Sequence, residues 1–147
     1  MATVNAYLTF DGTCEAAFNF YKSVFGGEFT YMGRFNEMPP AENCEPISEE
    51  AGNLIMHVSL PISAETILFG SDTSEAFGQT TTVGDNISIS INASSREEAD
   101  RLFNGLSADG VIKMPLQSTF WGAYFGMFVD KFGIHWMMNF DEHHKNN

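Results

Sequence analysis

The chain has 147 residues, of which 44% are hydrophobic, and its 19 acidic against 7 basic residues give a formal charge of −12. This length and apolar content suffice for one packed domain and exclude wholesale disorder. The negative charge disfavours nucleic acid and anionic membrane surfaces as partners, because both require clustered Lys and Arg.

The two cysteines, Cys14 and Cys44, are too few for a disulfide framework and show no CxxC spacing. Free thiols are typical of a reducing compartment, and the first residues lack the basic start and apolar run of a signal peptide. No stretch reaches the roughly 18 consecutive apolar residues of a membrane span. We therefore expect a cytoplasmic protein.

The first half of the chain predicts a strand, a helix and three further strands. Residues 14–25 place apolar side chains at the i, i+3, i+4, i+7 spacing of an amphipathic helix, and Gly26 and Gly27 follow as a stop signal. Residues 35–52 hold three Pro and five Glu without periodicity, which predicts a long loop. Alternating apolar residues predict strands at 4–10, 28–34, 53–60 and 66–71.

After a polar connection at 72–85, the same order of elements returns. The capping-box pattern from Ser95 to Glu98 predicts a helix start. The apolar stripe of that helix is Ala99, Leu102, Phe103 and Leu106, and the strands are predicted at 86–92, 111–114, 122–130 and 134–140. The repeated order predicts an α+β fold of two βαβββ modules, about 3–71 and 86–140. We expect the modules to pair, because neither can cover its sheet alone.

His57 lies within the strand predicted at 53–60. Alternation puts Leu54, Met56, Val58 and Leu60 on one face and Ile55, His57 and Ser59 on the other. Because the more apolar face should meet the helices, His57 is predicted to point to the opposite, concave side. There it could act as a base, a metal ligand or a hydrogen-bond donor, or be a histidine satisfied by its neighbours.

Other candidate residues lie near glycines, turns and the long loop. Trp121 precedes a strand punctuated by glycines, where its ring could form a pocket wall or a dimer core. Glu37 could reach a pocket from the loop. Asp72 and Asp130 lie at strand ends and are typical of turn caps.

Several short motifs, in this order and spacing, resemble the vicinal oxygen chelate superfamily of glyoxalases, bleomycin-resistance proteins and extradiol dioxygenases, and within it the PhnB-like branch. The motifs are Tyr7-Leu8-Thr9-Phe10, Glu37-Met38-Pro39, His57, Ser71-Asp72, Phe120-Trp121-Gly122, and Asp130-Lys131-Phe132-Gly133-Ile134 followed by Trp136. The resemblance implies a single glyoxalase-like domain over 1–147, with its βαβββ modules forming an incomplete barrel around a concave ligand site. It also implies a homodimer.

The resemblance further implies that catalytic relatives hold a divalent metal through His, Gln or Glu ligands. The matching positions here are Asn5, the region of Ser71, Asn86 and Met137. Because a thioether is no ligand for a hard cation and amides are weak ones, this set predicts that the usual metal cage is absent.

We therefore expect a small-molecule-binding protein with no cofactor. Its predicted ligand-binding residues are Tyr7, Glu37, His57, Trp121 and Phe125. The alternative is a metal-dependent lyase, isomerase or dioxygenase-like enzyme, in which His57 is the catalytic residue and the sole candidate metal ligand. A dimeric scaffold without a small-molecule role is the third alternative.

Overall fold

The computed structural model describes residues 2–37 and 47–142. The chain divides into two compact units, Met1–Thr82 and Val83–Asn147. The division lies within the predicted polar connection at 72–85.

The first unit contains one four-stranded sheet within its described residues. The strands are β1 (Tyr7–Phe10), β2 (Tyr31–Arg34), β3 (Ile55–Pro61) and β4 (Ile67–Asp72), and the helices are α1 (Cys14–Phe25) and α2 (Glu49–Gly52). The strand order is β1-β4-β3-β2, with β1 parallel to β4 and the other pairs antiparallel.

The second unit repeats this arrangement within residues 83–142. Its elements are β5 (Ile89–Asn92), α3 (Arg96–Leu106), β6 (Val111–Ser118), β7 (Ala123–Val129) and β8 (His135–Asp141). The sheet order β5-β8-β7-β6 and its one parallel pair match those of the first unit. The predicted α+β class and its two βαβββ modules are therefore confirmed.

Element bounds differ from the prediction mainly in polar segments. The predicted loop at 35–52 contains a 3₁₀ turn, Phe35–Glu37, and the short α2, whose N-cap Ser48 accepts a hydrogen bond from the Ala51 N–H. Cys44 and the Met38-Pro39 motif lie outside the described residues. Strand β6 is longer than predicted and includes Pro115, which an edge strand tolerates because its missing N–H is not needed for pairing.

Helix α1 packs against one face of the first sheet. Leu8, Val58 and Leu60 are buried on this face, and Phe18 of α1 lies directly against Gly70 of β4. The second unit uses the same device, since a Cβ on Gly126 of β7 would lie 2.7 Å from Cε2 of Phe103 in α3. In both units a glycine in the sheet lets the helix approach closely.

Helix α3 begins as its capping signal predicts. Ser95 Oγ accepts the Glu98 N–H at 3.0 Å, while the Glu98 carboxylate accepts the N–H of Ser94 at 2.9 Å rather than that of Ser95. The predicted stripe of Ala99, Leu102, Phe103 and Leu106 is buried.

The predicted faces of β3 are wrong at one residue, Ile55. Gly33 pairs with His57 and Arg34 pairs with Ile55, so Met56 has no partner in β2 and forms a β-bulge. Because of this extra residue, the side chain before it points to the opposite face from the one that regular alternation predicts. Ile55 is therefore fully buried with Val58 and Leu60, not beside His57.

Arg34 anchors β2 to α1. Its guanidinium donates two hydrogen bonds to the Glu15 carboxylate, at 3.0 and 2.7 Å, and a third to the Asn53 carbonyl at 2.8 Å. The hydrogen bonds from Arg34 lower the pKa of Glu15 below its usual value.

No helix among the described residues is long and apolar enough to cross a membrane.

Replacing Gly70 with Ala should destabilise the first unit by about 1–3 kcal/mol, because the added methyl group meets the Phe18 ring and lies 2.9 Å from the Leu8 carbonyl oxygen. Urea denaturation measures this. Gly84→Ala is the matched control, since its Cβ would approach nothing closer than Asn86 Oδ1 at 3.6 Å. Equal midpoints for the two variants would contradict the packing described here.

Glu15→Gln should cost about 1 kcal/mol or less at pH 7, since the ion pair is partly exposed. The lowered pKa of Glu15 means that its contribution is present above the ordinary carboxyl pKa and lost as the pH falls through the folded value. The difference from wild type in urea denaturation should therefore vanish in acid. Glu65→Gln, at an exposed bend, is the matched control for the change in charge and should leave the urea midpoint at pH 7 unchanged.

Candidate functional site

The face of the first sheet opposite α1 carries a cluster of aromatic side chains. Tyr7 pairs with Phe69, Ser59 pairs with both Phe69 and Tyr31, and His57 pairs with Gly33. Directly paired residues point to the same side of a sheet. We call this side, with Tyr7, Tyr31, His57 and Phe69, the tyrosine face.

Both ring nitrogens of His57 have hydrogen-bond partners. Nδ1 lies 3.2 Å from the Tyr7 hydroxyl, and Nε2 lies 3.2 Å from Ser59 Oγ. A neutral imidazole donates from one nitrogen and accepts at the other, and either hydroxyl can take the complementary role. His57 therefore points away from α1, as predicted, but its ring is held in place by neighbours.

The four rings of the tyrosine face form one continuous aromatic surface. The His57 ring centroid lies 5.6 Å from that of Tyr7, 5.9 Å from Tyr31 and 5.7 Å from Phe69. The Tyr7 and Phe69 rings are 6.3 Å apart, and the ring planes differ by only 20° to 39° across these four pairs. Tyr7 is 50% exposed and Tyr31 is 47% exposed, so this surface is accessible.

The other predicted ligand-binding residues belong to the 3₁₀ turn after β2 and to the second unit. Glu37 ends the 3₁₀ turn after β2. Its charge contributes to raising the pKa of Arg34, although the hydrogen bond that Arg34 donates to Glu15 is the larger cause. Trp121 and Phe125 belong to the second unit and contact each other edge to face, with centroids 6.1 Å apart. Thus the first unit brings Tyr7 and His57 together, and the second unit brings Trp121 and Phe125 together.

The donor set at the metal positions implied by the resemblance does not fit a divalent cation. The Asn5 amide oxygen accepts the Ile67 N–H at 3.4 Å, and Met137 lies in β8 beside Met127 of β7. Within residues 2–37 and 47–142, no group of three or more His, Cys, Asp or Glu side chains is arranged to hold a metal ion. Among the residues that the structure describes, His57 has no carboxylate or second imidazole as a hydrogen-bond partner.

Asp130 caps a turn, as predicted, whereas Asp72 joins distant segments instead of capping a turn at the end of its strand. Asp130 accepts N–H groups of Phe132 and Ile134 and the indole N–H of Trp136. Asp72 accepts N–H groups from two distant segments and is nearly fully buried. Neither carboxylate is available for chemistry.

Tyr31, Ser59 and Phe69 belong to the site but were not among the predicted ligand-binding residues. The sequence does indicate Ser59, because it lies two residues from His57 in one strand and therefore on the same face. For Tyr31 and Phe69 the signal is the register between strands, which one sequence does not supply.

A sequence model described as the Glyoxalase/Bleomycin resistance protein/Dioxygenase superfamily matches residues 3–138. The chain is 33% identical over 141 residues to Protein YjdN of Escherichia coli (strain K12), covering 92% of this chain and 93% of that protein. The structure is similar to that of protein PA1353 of Pseudomonas aeruginosa, with a TM-score of 0.82 and 35% identity over 96% of this chain and 98% of the other. It is also similar to the PhnB protein of Bacillus cereus, with a TM-score of 0.73 and 26% identity over 95% and 99% of the two chains.

Tyr7→Phe should raise the rate at which diethyl pyrocarbonate modifies His57 several-fold, because Nδ1 loses the hydroxyl that faces it. Mass spectrometry of the His57 peptide measures the rate. Tyr31→Phe is the control, since it removes a hydroxyl from a neighbouring ring while the Tyr7–His57 hydrogen bond remains. Equal rates in both variants would show that this hydrogen bond does not shield the imidazole.

Proposed function

We propose, since this chain belongs to the glyoxalase/bleomycin resistance protein/dioxygenase superfamily and to its PhnB-like branch, that it binds a small organic molecule on the tyrosine face, without the usual metal cage. The observation that carries the proposal is the accessible aromatic surface around His57. Small-molecule sites are mostly apolar and aromatic, with a few placed polar groups that orient the ligand. The tyrosine face has this composition.

The aromatic rings supply the binding area. Tyr7 and Tyr31 are each about half exposed, although tyrosine rings gain free energy when their faces are covered. A flat or aliphatic group laid across them would remove this area from water. At about 25 cal/mol per Å², each 50 Å² of apolar surface so covered contributes about 1 kcal/mol.

The polar groups supply orientation. The Tyr7 hydroxyl, the His57 imidazole and the Ser59 hydroxyl form a chain of hydrogen bonds along the face. A ligand hydroxyl or carbonyl can join this chain at Tyr7, the more exposed end. We assign His57 the role of fixing both hydroxyls, because proton abstraction by either ring nitrogen would first break one of these bonds.

The metal-dependent alternative has less support. It requires His57 to recruit further ligands, and its two hydrogen-bond partners are neutral hydroxyls rather than carboxylates or imidazoles. Neutral hydroxyls are poor ligands for the divalent ions that the superfamily's enzymes use.

The proposal includes a cytoplasmic homodimer. The second unit supports self-association, since it exposes large apolar residues, with Phe120 97% and Trp121 54% exposed. Val111 and Ile112, on edge strand β6, are also exposed. Such groups are typical of interfaces between chains.

Binding can be tested by titrating ¹⁵N-labelled protein with a set of small aromatic and aliphatic compounds. Amide shift changes should concentrate around Tyr7, Tyr31, His57 and Phe69. Tyr7→Ala and His57→Ala should each weaken binding about tenfold, which corresponds to about 1.4 kcal/mol. Phe120→Ala, which removes an exposed ring of the second unit, should leave this binding unchanged.

Metal analysis of untagged protein completes this test. Stoichiometric divalent metal that is lost in His57→Ala would overturn the binding proposal in favour of the metal-dependent enzyme. Shift changes confined to the second unit would place the ligand elsewhere and equally contradict the proposal.

A further inference from the structure

We infer that the ligand of the tyrosine face is an organic cation, with an ammonium or alkylammonium group seated on the aromatic rings. The inference rests on the proposed function and names the chemical class of its ligand. Three observations carry it: the aromatic surface, the engagement of nearby basic residues, and the distribution of charge along the chain.

The aromatic surface presents π systems to whatever covers it. Tyr and Phe rings carry a negative face, which attracts a cation within about 6 Å of the ring centroid. Four adjacent rings with centroids 5.6 to 6.3 Å apart let one alkylammonium group contact two or more of them. An anionic ligand would be repelled by the same faces.

The basic residues of the first unit are engaged away from this surface. Lys22 pairs with Glu28 at 3.2 Å and lies over the Phe29 ring at 5.4 Å. Arg34 forms a bidentate salt bridge with Glu15 of α1, on the opposite side of the sheet. Lys22 and Arg34 are the only Lys and Arg in the sequence of this unit, so the described part of the first unit supplies no Lys or Arg side chain to cover Tyr7 and Tyr31.

The charge of the chain is concentrated in the unit that holds the tyrosine face. Residues 1–82 contain 11 acidic and 2 basic residues, a formal charge of −9, whereas residues 83–147 contain 8 acidic and 5 basic residues, a charge of −3. A negative field of this kind raises the local concentration of cations and speeds their association. An anionic ligand would favour Lys or Arg side chains, and the described residues of the tyrosine face include neither.

Three probes of similar size and different charge test the inference: choline, neutral 3,3-dimethylbutan-1-ol and anionic 3,3-dimethylbutanoate. In NMR titrations of the full chain, choline should bind the tyrosine face about tenfold more tightly than the alcohol. The butanoate should produce no shift changes there. Equal or tighter binding of the alcohol, or no binding by choline, would overturn the inference.

Variants separate the aromatic contact from attraction by net charge. Tyr7→Phe keeps the ring and should retain the choline preference, whereas Tyr7→Leu keeps apolar bulk and net charge but should lose most of it. If Tyr7→Leu retains the full preference, the attraction comes from the acidic surface and the inference is wrong. The corresponding pair at Tyr31 repeats the comparison at a ring without a hydrogen bond to His57.

The outcomes distinguish this inference from the proposed function on which it rests. If the neutral alcohol binds the tyrosine face as tightly as choline does, the small-molecule site is supported and the inference of a cationic ligand is contradicted. If no probe, and no compound of the broader titration, perturbs the tyrosine face, both proposals are contradicted.

Discussion

The buried carboxylate of Asp72 joins the segments from which the first unit is built. It lies at the end of β4, is only 3% exposed, and accepts the Cys14 N–H and the Ile55 N–H, each at 2.8 Å. Cys14 is the first residue of α1 and Ile55 the first of β3. The Asp72 side chain thus attaches the start of α1 and the start of β3 to the end of β4. Removing it would leave two buried N–H groups without an acceptor, which costs about 1–3 kcal/mol for each.

This arrangement has an electrostatic cost. Burial is the largest influence on Asp72 and raises the pKa of its carboxyl, although the backbone hydrogen bonds act in the opposite direction. The same environment raises the pKa of Cys14, again through burial first and the charge of Asp72 second. Cys14 is fully buried and stays a protonated thiol, so it belongs to the core rather than to any redox chemistry.

The anchoring of Ile55 also decides where His57 points. Because Ile55 is held toward α1 and β3 contains a bulge at Met56, the alternation restarts one residue later. His57 and Ser59 then share the face opposite the helix, next to Tyr31 and Phe69. Without the bulge, Ile55 and His57 would lie on one side, as plain alternation predicts.

The direction of His57 could be predicted from the apolar Val58 and Leu60, but the place of Ile55 could not, since a bulge depends on pairing with β2. Helices α1 and α3 could be predicted because their apolar spacing and stop or cap signals are local. The aromatic site could be predicted only in part, because the approach of Tyr31 and Phe69 to His57 depends on strand register.

The second unit shows what the duplicated fold leaves open. It has the same strand order and the same close contact between helix and glycine, yet the sheet face opposite α3 carries Phe125, Met127, His135 and Met137, whereas that of the first unit carries two tyrosines beside its histidine. Identical topology therefore presents two chemically different surfaces, because helix packing constrains only one face of each sheet. Substitutions on the other face can therefore change the surface offered to a ligand while the helix packing is kept. Membership of the superfamily indicates where a ligand site can form, and the side chains on that face decide what it binds. In this chain the hydroxyl–imidazole chain and the adjoining π faces are the features on which the proposed recognition of a ligand by contact, rather than its activation by a metal, rests.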